Sequence, residues 1–334
     1  MLARQNALQQ WLQTIYGDTD FFLTPLAGDA SFRRYFRLTR NHHTFVVMDA
    51  PPNREQIEPF VTLCRAFSTH GIRTPELFAI DLAQGFILLE DFGDTLLLST
   101  LKSITQANLW YPVAIDQLLK IQQCPHTFCH IPTFNIAYMH QEMGLFLDWF
   151  IQRYLGLTLS DKETALIQKT FETISTEIAQ QPQVVIHRDY HSRNLIVLPH
   201  ENNPALGVID FQDAMIGPLT YDLVSLLKDC YIQWPKAQLL DWLSYAYQRL
   251  SSQYNNPFEQ FCHAFELCGL QRHLKVLGIF SRLHLRDAKS TYLRDLPLTL
   301  QYIMASLEDQ PTLTDFYDFM QHRISPALLQ KQAV

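Results

Sequence analysis

Eight consecutive residues near the middle of the chain, His187-Arg188-Asp189-Tyr190-His191-Ser192-Arg193-Asn194, hold a carboxylate and, five positions on, an amide oxygen. A second carboxylate follows in Ile209-Asp210-Phe211. Transfer of a phosphoryl group needs one carboxylate beside the acceptor hydroxyl and hard oxygen ligands that hold Mg²⁺ against nucleotide phosphates. Asp189 suits the first task, and Asn194 with Asp210 the second. Asx residues favour turns and caps, so each alone would say little. The ordered set is specific.

The elements that must position these groups are short. Val184 to Ile186, Asn194 to Leu198 and Ala205 to Ile209 read as three strands, with turn residues from His200 to Pro204 between the last two. Upstream, residues 21–26, 32–38 and 44–48 read as strands, and Phe60, Val61, Cys64 and Phe67 as one face of a helix started by Pro59 and stopped by Gly71. Residues 77–80 and 86–89 give two more strands. From Thr105 the periodicity becomes helical, and Thr220 is placed to cap a helix carrying Leu223, Val224 and Leu227. Helical patterns then cover Leu239 to Leu250 and Phe258 to about Leu285. The expectation is an α+β protein: a nucleotide-binding lobe over 1–92, with a small antiparallel sheet plus a helix, and a mainly helical catalytic and acceptor-binding lobe over 93–334 with a short catalytic hairpin.

Twenty-six Lys and Arg against 33 Asp and Glu leave a formal charge of −7, too acidic for indiscriminate binding to nucleic acid. Six scattered cysteines without a C-x-x-C pair do not form a disulfide framework. Cys124, His126, Cys129 and His130 have zinc-type side chains but lack the second ligand pair of a structural zinc site. No signal peptide or membrane span is read, so the expectation is a cytoplasmic monomer whose partner is a small molecule, with neither nucleic acid nor membrane involved.

His187 to Asn194 matches the H-R-D-x-x-x-x-N catalytic loop of kinases. With Ile209-Asp210-Phe211-Gln212-Asp213 and Gly217-Pro218-Leu219-Thr220-Tyr221-Asp222 it resembles the aminoglycoside phosphotransferase and choline kinase-like family, which has a two-lobed protein-kinase-like fold. Leu26 to Arg37, Val47-Met48-Asp49-Ala50-Pro51-Pro52, the loop itself and Tyr221 to Leu227 are more narrowly similar to the anomeric N-acetylmuramate/N-acetylglucosamine kinases of bacterial cell-wall recycling. That resemblance implies phosphorylation of an amino sugar to its 1-phosphate, with ATP and Mg²⁺. It implies Asp189 as base, Asn194 and Asp210 as magnesium ligands, Asp222 as a buttress of the loop, and His187 and Arg188 as its supports. Backbone groups from Glu90 to Phe92 would meet the adenine. A base of near-normal pKa would serve, because an anomeric hydroxyl is more acidic than an ordinary alcohol.

The chain departs from kinases in two places. The turn from Gly28 through Ser31 to Phe32 has one glycine, and Met48 or Asp49 stands where a strand lysine is expected, leaving Glu55 or Glu58 without its usual partner. Arg33 or Arg34 is expected to supply the missing charge to the phosphates. On the acceptor side, Arg282, Arg286 and Lys289 recur at helical spacing and would share one face, while Tyr190, His191, Arg193, Tyr231 and Trp234 lie near the loop. Three alternatives stay open: another acceptor, such as an aminoglycoside, choline or homoserine; a protein kinase, disfavoured by the absence of the G-x-G-x-x-G loop, the strand lysine and the A-P-E segment; or a nucleotide-binding pseudokinase.

Overall fold

The computed structural model describes residues 2–26, 32–127, 130–198, 203–250 and 254–332. The chain forms two compact units, Met1–Leu96 with Leu195–Gln212, and Leu97–Asn194 with Asp213–Val334.

In the first unit, helix α1 (Leu2–Tyr16) precedes strands β1 (Phe22–Pro25), β2 (Arg34–Arg40) and β3 (His43–Asp49), helix α2 (Glu58–Thr69), and strands β4 (Leu77–Asp81) and β5 (Phe86–Glu90). The sheet is antiparallel throughout, in the order β1-β2-β3-β5-β4. Asn41 and His42 both take positive φ, 48° and 64°, which is how a two-residue turn matches the twist of the β2–β3 hairpin. Pro59 occupies the first turn of α2 and Gly71, at φ 74°, follows its end. The core forms where Leu8, Trp11 and Leu12 of α1 cover Leu38, Val47, Phe86 and Leu88. Helix α1 is not among the predicted elements, although Leu8, Trp11, Leu12 and Ile15 recur at three and four residues.

The second unit begins with α3 (Leu97–Thr100), α4 (Ile104–Gln122), α5 (Ile136–Leu145), which continues as a π-helix over Phe146–Tyr154, α6 (Asp161–Ala179) and strand β6 (Gln183–Ile186). The chain then returns to the first unit as the hairpin β7 (Leu195–Val197) and β8 (Leu206–Val208). It re-enters the second through β9 (Met215–Pro218), which pairs antiparallel with β6, and finishes with α7 (Tyr221–Leu227), α8 (Lys236–Arg249), α9 (Phe258–Asp287), α10 (Leu296–Glu308), α11 (Thr314–Phe319) and α12 (Ser325–Gln332). Helix α9 is buried along most of its 30 residues, and at Gly278 the backbone of Leu145 comes so close that no Cβ would fit.

The single cut expected after residue 92 is therefore corrected. The β7–β8 hairpin belongs with the first unit because Ile196 and Leu198 pack on Phe92, Val197 N–H donates to the Thr95 carbonyl (2.8 Å), and Val208 N–H to that of Arg73 (2.8 Å). Strand β9, four residues ending in Gly-Pro, is too short and interrupted to register as an apolar run. Thr220 makes no cap; its hydroxyl donates to Gln181 Oε1 (2.9 Å) and the Ala264 carbonyl (3.1 Å).

Candidate active site

Strand β6, its last three residues buried, delivers the chain to His187. There the fully buried Asp222, in the first turn of α7, accepts the amide N–H groups of His187 (2.6 Å) and Arg188 (3.0 Å). Arg188 takes φ 75°, a strained value for a side-chain-bearing residue that this double bond holds in place. His187, also buried, accepts the Asp189 N–H at Nδ1 (3.3 Å). Beyond Asp189 the loop closes on itself: its carbonyl accepts from His191 N–H (3.0 Å) and from Asn194 Nδ2 (2.9 Å). The far end is held by a second buried aspartate. Asp229 accepts Ser192 N–H (3.0 Å), Ser192 Oγ–H (2.5 Å) and Tyr231 N–H (3.1 Å). Asp229 is absent from the predicted site; it lies two residues beyond the end of α7, where the helical pattern carries no signal for it.

The carboxylate of Asp189 lies 3.5 Å from Nη1 of Arg272, which also donates to the Arg188 carbonyl (2.8 Å). Behind it sits a buried charge cluster. Glu142 of α5 meets Arg188 (2.7 Å), Lys275 (3.0 Å) and Gln271 Nε2 (3.1 Å). Partial withdrawal from water disfavours the charged form of Asp189, whose side chain is still 41% exposed, but Lys275, Arg272, His191 and Arg188 outweigh that cost and hold the carboxyl well below the usual range. Glu142 is likewise lowered: burial opposes its charge, and Lys275 and Arg188 overcome that. None of Glu142, Gln271, Arg272 and Lys275 was predicted; the signal is four polar residues, Gln271, Arg272, His273 and Lys275, within an otherwise apolar stretch of α9.

Around the loop, the predicted acceptor residues separate. Tyr190 is fully buried and donates its hydroxyl to the Ala114 carbonyl (2.8 Å), so it braces the loop on α4 and offers nothing to a ligand. Trp234 donates to Tyr111 Oη (2.8 Å). His191 meets Tyr231 edge-on (5.6 Å), and the Arg193 guanidinium lies over the rings of Tyr231 (4.7 Å) and Tyr292 (5.7 Å). The shared basic face is corrected. Helix α9 ends at Asp287 and Ala288 turns left-handed (φ 55°), which carries Lys289 off the helix, and Arg286 pairs with Asp287 (2.8 Å) in solvent.

In the first unit, Asp210 takes φ 64° and is exposed, accepting Gln212 Nε2 at 2.7 Å. Its neighbour Phe211 is fully buried, stacked on Phe60 (5.0 Å) and edge-on to Phe67 (5.8 Å), so α2 anchors the Asp-Phe pair. The arginines predicted to face phosphates hold carboxylates instead. Arg34 and Arg4 both pair with the fully buried Asp49, whose charge needs them. Arg33 meets Glu55 at 3.2 Å, the partner that sequence left unidentified. Phe32 is exposed, its N–H on Glu55 (3.3 Å). The Glu90 carboxylate holds Arg73 (2.6 and 2.5 Å) and its N–H is taken by the Glu76 carbonyl (2.9 Å), while Phe92 is buried under Ile196. Gly28 and Ser31 lie outside the described residues, as does Cys129.

An amide and carboxylates are the hard oxygen donors that Mg²⁺ prefers. The bond from Asn194 Nδ2 to the loop fixes which way its oxygen turns, so the donor set suits the ion. No group of three His, Cys, Asp or Glu among the described residues forms a metal cluster by itself, and no described helix is long and apolar enough to cross a membrane.

A sheet-and-helix unit, a mainly helical unit and this loop define a kinase-like phosphotransferase. The chain belongs to the phosphotransferase enzyme family, whose model matches residues 23–254. It is 39% identical over 296 residues to an N-acetylmuramate/N-acetylglucosamine kinase of Pseudomonas putida, covering 88% of this chain and 86% of that protein. It is 37% identical to one of Neisseria meningitidis, covering 90% of each. Among solved structures, a choline/ethanolamine kinase family protein from Mesorhizobium loti shares the fold, with a TM-score of 0.64 at 11% identity over 99% of this chain and 100% of that one.

Proposed function

We propose that the protein is a sugar kinase that transfers the γ-phosphoryl of ATP to the anomeric hydroxyl of N-acetylmuramate and N-acetylglucosamine, giving the sugar 1-phosphates of peptidoglycan recycling. The observation that carries this reading is a carboxylate, Asp189, 41% exposed on a loop that two buried aspartates hold at both ends. Relatives named for that activity, at 37–39% identity over most of the chain, support it. Asp189 accepts the hydroxyl hydrogen bond, orients its oxygen in line with the phosphoryl group and takes the proton as the new bond forms. Its lowered pKa suits an acidic hemiacetal hydroxyl, whose proton needs no strong base. Asn194 and Asp210 would hold Mg²⁺, which when bound supplies positive charge against the phosphates. His187, Asp222 and Arg188 keep the loop in place.

Asp189→Asn tests the reading. Turnover is expected to fall by about 10²–10⁴-fold, with nucleotide binding retained. A coupled ADP assay against both amino sugars, glucose, choline and an aminoglycoside, with phosphorus NMR of the product, identifies acceptor and position. Turnover by Asp189→Asn within about tenfold of the parent, or preference for choline or an aminoglycoside, refutes it.

A further inference from the structure

We infer that Arg272 is the positioning residue of the phosphoryl transfer: one nitrogen of its guanidinium locks the backbone and the side chain of Asp189 together, so that Oδ1 is drawn to α9 and Oδ2 serves the acceptor hydroxyl. This rests on the reading of Asp189 as the base.

A base that takes a proton in line must not turn about its own bonds. Three rotatable bonds, N–Cα, Cα–Cβ and Cβ–Cγ, separate the peptide that enters an aspartate from its carboxylate oxygens. Arg272 Nη1 spans all of them, donating to the Arg188 carbonyl at 2.8 Å and lying 3.5 Å from Asp189 Oδ1. The same peptide is held at its other end, where the Asp189 N–H meets His187 Nδ1 at 3.3 Å. Arg188 is thus gripped at both of its backbone polar groups, its N–H by Asp222 and its carbonyl by Arg272, at the residue that bears the φ of 75°. With that peptide plane fixed, the reach from it to Arg272 selects one rotamer of the Asp189 side chain.

Arg272 is itself fixed. It is 4% exposed in the middle of α9, and its guanidinium lies 5.7 Å from the ring of the fully buried Tyr221. The hydroxyl of Tyr221 accepts Lys275 Nζ (3.4 Å), less than a turn further along α9. Burial strengthens the pull of the guanidinium, and its planar donors hold their direction. The neighbouring cations Arg188 and Lys275 both meet Glu142 instead. At 3.5 Å the contact with Asp189 is an attraction of charges, too long for a good N–H···O bond, so it aims the carboxylate without closing it off.

Steady-state kinetics on the parent, Arg272→Gln, Asp189→Asn and the double variant test the assignment, with Arg272→Lys made in both backgrounds. Glutamine keeps a donor for the Arg188 carbonyl and removes the charge that faces the carboxylate. In Arg272→Gln kcat is expected to fall roughly 10- to 100-fold, with KM for ATP and for the sugar each within about threefold of the parent. Arg272→Lys falls between, because an ammonium keeps the charge without the planar geometry. In the Asp189→Asn background either change alters kcat by less than about twofold, since no base is left to aim. Losses that multiply in the double variant, a loss carried by either KM, or a kcat of Arg272→Gln within about threefold of the parent overturn the assignment. If Arg272→Gln proves unfolded by circular dichroism, Arg272→Lys in the two backgrounds decides by the same thresholds. A parent enzyme that phosphorylates neither amino sugar overturns the function reading as well. An active parent, impaired by Asp189→Asn and untouched at Arg272, overturns this inference alone.

Discussion

Asp229→Asn should loosen the distal end of the catalytic loop by an amount the hydrogen bonds set. The carboxylate takes two donors from Ser192 on Oδ2 and the Tyr231 N–H on Oδ1. Asparagine has one acceptor oxygen. Turned toward Ser192, it leaves the Tyr231 N–H facing an NH₂ group, about 1–3 kcal/mol for a buried unsatisfied donor, and the surviving bonds lose their charge assistance, about 0.5–1 kcal/mol more. The sum, roughly 1.5–4 kcal/mol, corresponds to a fall of about 3–16 °C in Tm for a unit of this size. Urea unfolding and calorimetry of Asp229→Asn, Ser192→Ala and the double variant measure it, with a coupling energy of about 1–3 kcal/mol expected between the two positions. The KM for sugar should rise more than that for ATP, because Tyr231 shifts with the clamp. A change under about 0.5 kcal/mol in Asp229→Asn, or additive effects in the cycle, would show that the clamp carries no strength.

Tyr190→Phe should cost about 0.5–1.5 kcal/mol through the lost bond to Ala114 and leave the sugar KM in place; a raised KM would return Tyr190 to the acceptor pocket. Glu142→Gln strips the charge that Arg188 and Lys275 share and should cost roughly 3–5 kcal/mol in urea unfolding. Gly278→Ala drives a methyl into the Leu145 backbone, and a loss of about 1–3 kcal/mol is expected; an unchanged midpoint would mean that α5 and α9 can part freely. Burial pushes the pKa of His273 down to about 3 from the ordinary 6.5, against its hydrogen bond to the Lys228 carbonyl. The unfolded chain therefore takes up a proton that the folded one refuses, so this contribution is intact above pH 6.5 and drains away as pH falls toward 3. His273→Phe should flatten the stability slope across that window by up to about 1.4 kcal/mol per pH unit.

The parts legible in the sequence were those written in local pattern. The hairpin at Asn41-His42, the limits of α2, the strands flanking the loop and the order Asp189, Asn194, Asp210 follow from turn chemistry, periodicity and spacing. What escaped depends on partners distant in the chain. Asp49 reads as a misplaced lysine until Arg4, 45 residues earlier, is found against it. Arg33 and Arg34 look like phosphate ligands because a strand pattern does not say which carboxylates lie across it. Glu142 and Lys275, 133 residues apart, carry no local signature except polarity where the neighbours are apolar. Lys289 was misplaced for a local reason: Ala288 closes α9 left-handed, a conformation that its side chain disfavours and the sequence does not advertise.

Because the β7–β8 hairpin completes the first unit, neither half of the molecule is an unbroken stretch of chain. A fragment stopping at Leu96 would leave Phe92 bare where Ile196 and Leu198 belong. On the ribosome the first unit therefore waits, unfinished, until more than two hundred residues have emerged, and gene fusion or shuffling cannot exchange it as a cassette.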